Sequence, residues 1–202
     1  MKRMIYLVLV LLFVLSLCSC ADEPIYDDSS ESTVHEAGEM LFPDAEYTAV
    51  DEKFVMGNWL GVTPDAIGLN EDSIFVNDEQ MVSYDYVTLF GVKGNISFYL
   101  QNGKVLYYVF GSTPYTEKAT FSADLENMSK KTAELLGTEK HELVFNGGEE
   151  GHDEWEQLFE GNGVFATEYK GANHAVTVKG CGVSDVATIV AECHAKNEVT
   201  GR

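Results

Sequence analysis

Arginine is almost missing: Arg3 and Arg202 are the only two in 202 residues. With 13 basic residues against 33 acidic ones, the chain carries a formal charge of −20. Such a field repels nucleic acid and anionic membrane surfaces, and a chain this poor in guanidinium forks is ill equipped to clamp phosphates bidentately. Nucleic-acid binding and phosphoryl transfer are thereby disfavoured. Cations, cationic proteins and neutral ligands such as sugars or peptides stay admissible.

Catalytic motifs are equally scarce. His141-Glu142 opens like a zinc-protease helix, but HELVF lacks the second histidine. Gly182-Val183-Ser184-Asp185-Val186 lacks the final glycine of a nucleophile elbow. Gly161-Asn162-Gly163 with Ala166 imitates a dinucleotide fingerprint, yet strand-like residues follow where a helix must begin. The five histidines, at 35, 141, 152, 174 and 194, have no mutual spacing that favours a metal. No catalytic residue is assigned.

A long apolar run is missing too. Residues 4–17 form an apolar stretch of 14 residues, broken only by Ser16, behind Lys2 and Arg3. A membrane-crossing helix needs roughly 18 to 20, so the layout predicts a cleaved signal peptide. Cysteine is sparse, and two of the four, Cys18 and Cys20, close this stretch.

Leu17-Cys18-Ser19-Cys20 resembles the lipobox of bacterial lipoproteins: an aliphatic residue, a tolerant position and a small residue before a cysteine. The resemblance implies that Cys20 receives a diacylglycerol thioether and becomes the first mature residue. Cys18 is excluded as acceptor because Leu17 would stand where a small residue is required, and Cys18 departs mildly from the family's usual Ala, Ser or Thr. Two acyl chains give a stable anchor, since each buried CH₂ contributes about 0.8 kcal/mol. The implied location is the cell membrane, facing away from the cytoplasm. Ordinary secretion, with cleavage after Cys20 or Ala21, is the alternative.

Loss of residues 1–19 removes Lys2 and Arg3 and no acid, leaving 11 basic against 33 acidic residues, a charge of −22. Residues 21–39, ADEPIYDDSSESTVHEAGE, hold seven acids and no lysine or arginine. They read as a solvated tether that spans on the order of 25 Å as a coil. The expected organisation is a leader at 1–19, a tether at 20–40 and one domain at 41–202, divisible into halves 41–118 and 119–202.

Within the domain, Asn102-Gly103 lies between two apolar runs and predicts a type I′ hairpin. Strict alternation then pairs Leu100 with Val105, Phe98 with Tyr107, and Ile96 with Val109. A second turn at Lys93-Gly94 pairs Leu89 with Phe98 and Val87 with Leu100, completing a three-stranded meander. Its other face carries Tyr84, Tyr86, Phe90, Tyr99, Leu106, Tyr108 and Phe110, so both faces are apolar. Either two protein layers cover the sheet, or one aromatic face meets a ligand. Tyr86, Tyr99 and Tyr108 are the candidate ligand-binding residues, their rings both apolar and able to donate a hydrogen bond.

Residues 122–137 predict an amphipathic helix, with Ser122 as N-cap, Leu125, Met128, Thr132, Leu135 and Leu136 as its apolar stripe, and Gly137 beyond its end. Thr63-Pro64-Asp65-Ala66 starts a short helix. Residues 163–179 predict a hairpin turning at Gly171-Ala172, with Phe165, Thr167 and Tyr169 opposite Val178, Val176 and His174; Trp155, Leu158 and Phe159 precede it on a short strand or turn. Residues 184–197 fit a helix capped by Ser184, which is the expectation, or a strand through Thr188-Ile189-Val190. Cys181 and Cys193 are the cysteines left after processing, and outside the cytoplasm they form a candidate disulfide.

The expected fold class is α+β: an antiparallel meander and a second hairpin packed with one or two helices. Helix followed by strands, twice over, is similar to the tandem repeats of β-lactamase-inhibitor-like lipoproteins. Gly57-Asn58-Trp59 resembles the G-x-W start of lipocalins, which implies a barrel, although an internal helix between strand groups fits one poorly.

The expected function is a lipid-anchored extracytoplasmic binding module for a peptide, glycan or protein. The alternative is a cell-surface enzyme or metal-dependent protein. It would use loop 147–157, where Glu149, Glu150, Asp153 and Glu154 crowd between glycines, with His174 near a cleft. Calcium takes such oxygen ligands, although the regular D-x-D-x-D-G pattern is absent.

Overall fold

The computed structural model describes residues 46–139 and 142–196. The leader, Cys20, the tether, His35 and His141 lie outside the described residues. The chain forms a largely β structure with some helix packed on it, built on a nine-stranded mixed sheet.

Its elements in order are β1 (Thr48–Ala49), α1 (Asp51–Val55), β2 (Ile74–Asn77), β3 (Met81–Leu89), β4 (Val92–Gln101), β5 (Lys104–Ser112) and α2 (Lys118–Leu136). Then come β6 (Val144–Gly147), α3 (Glu154–Phe159), β7 (Gly163–Lys170), β8 (His174–Val183) and β9 (Val186–Ala195). The strand order is β1-β3-β4-β5-β9-β8-β7-β6, with β2 also paired to β3. The sheet is open, since β1 and β6 stand at opposite edges, and this overturns the barrel that Gly57-Asn58-Trp59 implied. Trp59 is instead a core residue, its indole N–H donating to the Ile67 carbonyl at 3.0 Å.

The Asn102-Gly103 turn forms as expected, with φ of 53° and 73°. Beyond it a bulge intervenes: Leu100 pairs with Val105 but Tyr99 pairs with Tyr107, so Leu106 is the extra residue. One inserted residue reverses every later side chain. Phe98 therefore faces Tyr108 and Ile96 faces Phe110, not Tyr107 and Val109 as alternation predicts. The β3–β4 turn falls at Phe90-Gly91, with Leu89 opposite Val92, and not at Lys93-Gly94. A further bulge between Tyr84 and Val87 leaves Tyr86 at φ 57°.

The helix begins at Lys118, four residues before the expected cap; Ser122 lies inside it and its hydroxyl donates back to the Ala119 carbonyl. Phe121, Leu125, Met128, Ser129, Thr132 and Ala133 are its buried stripe. Leu135, expected in that stripe, is 40 % exposed. The end is as expected, with Gly137 in the left-handed conformation. Thr63-Pro64 opens only a short 3-10 turn, Pro64–Ala66. Trp155, Leu158 and Phe159 sit on helix α3 rather than a strand, because the Asp153 carboxylate caps it by accepting from the Glu156 N–H at 2.9 Å.

The β7–β8 hairpin forms two positions out of the expected register, with Phe165, Thr167 and Tyr169 opposite Gly180, Val178 and Val176. An even shift preserves the faces. The final segment is strand β9, not a helix: Val183 pairs with Val186 across Ser184-Asp185, both at positive φ (49° and 68°). What was expected as a lone hairpin is thus a second three-stranded meander.

This register also decides the cysteines. Cys181 lies opposite Thr188 and Cys193 opposite Val176, five residues apart along β9 and so on opposite faces of the sheet. The two are not joined to each other, which corrects the candidate disulfide. Burial pushes the Cys193 thiol up to about 11. A thiol reagent at neutral pH should modify half-exposed Cys181 and spare Cys193 until the chain unfolds, read by mass spectrometry of the labelled peptides. Raising the pH from 9 to 11 should lower stability, because the unfolded chain then releases a proton that the folded thiol retains. Equal labelling of both cysteines in the native state would contradict the placement of Cys193.

All three helices pack on one face. Phe54 of α1 meets Tyr108 edge-on at 5.0 Å. Phe121 and Leu125 of α2, with Leu158 of α3, close over Gly180. Phe98, Tyr108, Phe110, Phe165, Val176, Val178, Ile189 and Cys193 supply the sheet's share of this core.

Candidate functional site

The other face of the sheet has no helix on it among the described residues. Following the register, one row crosses five strands from Met81 through Tyr99, Tyr107 and His194 to Ala175. The next row runs Ser83, Ser97, Val109, Glu192, Thr177 and Glu168. Most of these side chains are half-buried.

Tyr99 and Tyr107 stack face to face with centroids 4.4 Å apart and planes within 10°. Burial raises both phenols, and Glu192 in the adjacent row reinforces it; Tyr107, further opposed by Tyr99, is pushed up to about 12. Both hydroxyls therefore stay protonated donors at neutral pH. Beside them Lys179 and Glu192 pair at 2.7 Å, and Ser83 and Ser97 share a hydrogen bond of 2.8 Å. The patch is aromatic at its centre, bordered by a neutralised charge pair and small hydroxyls.

Only one of the three candidate tyrosines occupies this place. Tyr99 does. Tyr108 belongs to the core: it is fully buried, and its hydroxyl donates to the Phe54 carbonyl at 2.7 Å. Tyr86 sits on the β3 bulge against Tyr47, centroids 5.8 Å apart. Its backbone is five residues along β3 from the partner of Tyr99, on the order of 15 Å. Tyr107, which alternation placed inward, takes the position assigned to Tyr108. No residue in YYV signals a bulge at Leu106, so the sequence offers the pair of tyrosines but not which one is outward.

The acidic loop is held by protein groups. Asp153 is spent on capping α3 and on Lys118, 2.8 Å away, whose hydrogen bond and charge hold its carboxyl below the usual range. Gln157 bonds both the N–H and the carbonyl of Glu149. Glu150 and Glu154 point to solvent. Among the described residues no three His, Cys, Asp or Glu side chains are arranged to hold a metal ion. His174 does not join this loop: it starts β8 beyond the far end of β7, roughly 20 Å along the strands. Its ring is buried between Gly57 and Gly171, with Nε2 2.7 Å from the Val55 carbonyl.

No family model matches the chain, and neither a curated protein nor a solved structure matches it.

Proposed function

We propose that the chain is a lipid-anchored, extracytoplasmic binding module, held to the membrane through Cys20. Its acidic tether lifts an α+β domain off the bilayer and displays the uncovered sheet face to a peptide, glycan or protein partner. The observation that carries this reading is the stacked Tyr99–Tyr107 pair at the centre of that face. Aromatic rings with protonated hydroxyls bury well against a partner and still donate hydrogen bonds. A helix and a three-stranded meander occur twice, as α1 with β3–β5 and α2 with β7–β9, and we read this as a tandem repeat joined through β5 and β9.

Cys20→Ser is expected to move the protein from the membrane fraction to the soluble one. Crosslinking in membranes, followed by capture of the wild-type chain, should yield a partner species that the double variant Tyr99→Ala, Tyr107→Ala no longer yields. Retention of that species by the double variant would remove the sheet face from the proposal. A membrane-bound Cys20→Ser would remove the anchor.

A further inference from the structure

A separate groove of about 610 Å³ lies on the helix side, between α2, α3 and the β6–β7 edge. Its apolar wall is Trp155 and Phe165, whose rings lie with centroids 4.1 Å apart and planes tilted by 31°. Its polar lining is Glu126, Asn127 and Lys130 from α2, with Glu142 across from them. The two tryptophans of the chain are used differently. Trp59 is 2 % exposed and donates its N–H to the Ile67 carbonyl. Trp155 is half-exposed, braced by Phe165 and by the edge of Phe121 at 6.1 Å, and its indole N–H has no partner among the described residues.

The polar groups are equally unspent. Glu126, Asn127, Lys130 and Glu142 make no side-chain hydrogen bond or ion pair with another described residue, whereas neighbouring Lys118 and Lys131 are paired to Asp153 and Glu134. An anionic ligand would meet two carboxylates here and the −20 charge of the whole chain. A cationic one would meet Lys130. A neutral polyhydroxyl compound satisfies both kinds of group at once, because each hydroxyl donates to a carboxylate and accepts from an ammonium, amide or indole N–H. A sugar ring also offers an apolar face to a fixed aromatic wall.

We propose that this groove binds a neutral saccharide, one pyranose ring packed on Trp155 with its hydroxyls bonded to Glu126, Asn127, Lys130 and Glu142. This goes beyond the sheet-face reading and stands or falls separately from it, since no residue is shared.

The test uses the ¹⁵N-labelled full chain in a detergent without a sugar headgroup, whose spectrum carries two indole N–H signals. Cellotetraose, maltotetraose and chitotetraose are the probes, with tetralysine as the charged competitor. At least one of the three sugars should move the Trp155 signal saturably and leave the Trp59 signal in place. Trp155→Ala should then weaken binding at least about tenfold, and Asn127→Ala, on the exposed surface of α2, should weaken it with the fold intact. If none of the three sugars shifts the Trp155 signal at about 10 mM, or if tetralysine alone does, the proposal is overturned.

Discussion

Gly182→Ala should lower the melting temperature by about 6–12 °C, corresponding to about 3 kcal/mol in a chain of this size. A Cβ at Gly182 would lie 1.9 Å from the Leu158 carbonyl oxygen and 3.0 Å from the Leu158 side chain. That oxygen cannot swing aside, because it is backbone near the end of α3 and accepts from the Gly161 N–H at 2.9 Å. The adjoining Phe159 carbonyl accepts from the Asp185 N–H in the β8–β9 turn at 3.1 Å, so helix and hairpin are tied together where the methyl would intrude. Gly111→Ala is the matched control. Its Cβ would meet only the Asn95 side chain at 3.5 Å, an ordinary contact, and a loss under about 1 kcal/mol is expected there. Thermal unfolding of both variants decides the matter; equal losses would show that close approach at Gly182 contributes nothing.

Tyr108→Ala should cost about 3–5 kcal/mol in denaturant unfolding, the range for truncating a buried aromatic. Tyr108 stands among Phe54 at 5.0 Å, Trp59 at 5.4 Å and Phe98 at 5.6 Å, so a cavity there has rings on three sides that cannot all collapse into it. Tyr108→Phe separates packing from hydrogen bonding. It keeps the ring and removes the donor to the Phe54 carbonyl, which retains the Gly57 N–H at 3.3 Å, so only about 1 kcal/mol should be lost. A larger loss for Phe than for Ala would contradict this placement. The same pair of variants tests the bulge, because an outward Tyr108 would tolerate either change.

The hairpins were legible in the sequence where residue chemistry dictates backbone geometry. Asn102-Gly103 predicts a type I′ turn because few other dipeptides adopt positive φ twice. Ser184-Asp185 adopts the same geometry without that composition, held by the long β8–β9 pairing and the Asp185 bond to Phe159, and so the segment after it read as a helix. The bulge at Leu106 was likewise silent. Pleat alternation carries the pattern of a strand but not an insertion within it, and that insertion exchanged Tyr107 for Tyr108 at the candidate site. The helix stripe was found through Leu125, Met128 and Thr132, while its first turn was missed because Ser122 has the chemistry of a cap and yet lies inside the helix.

The pairing of β5 with β9 joins residues such as Tyr107 and His194, 87 positions apart in the chain, whereas both meanders close through turns of a few residues. Loop-closure entropy therefore places this central seam late in folding, after each meander has formed locally. Until it closes, the folding chain presents two bare strand edges, β5 and β9, each as able to capture a neighbouring molecule as its own other half. The centre of the finished sheet, its best protected region, is thus where the folding chain is most exposed to domain exchange.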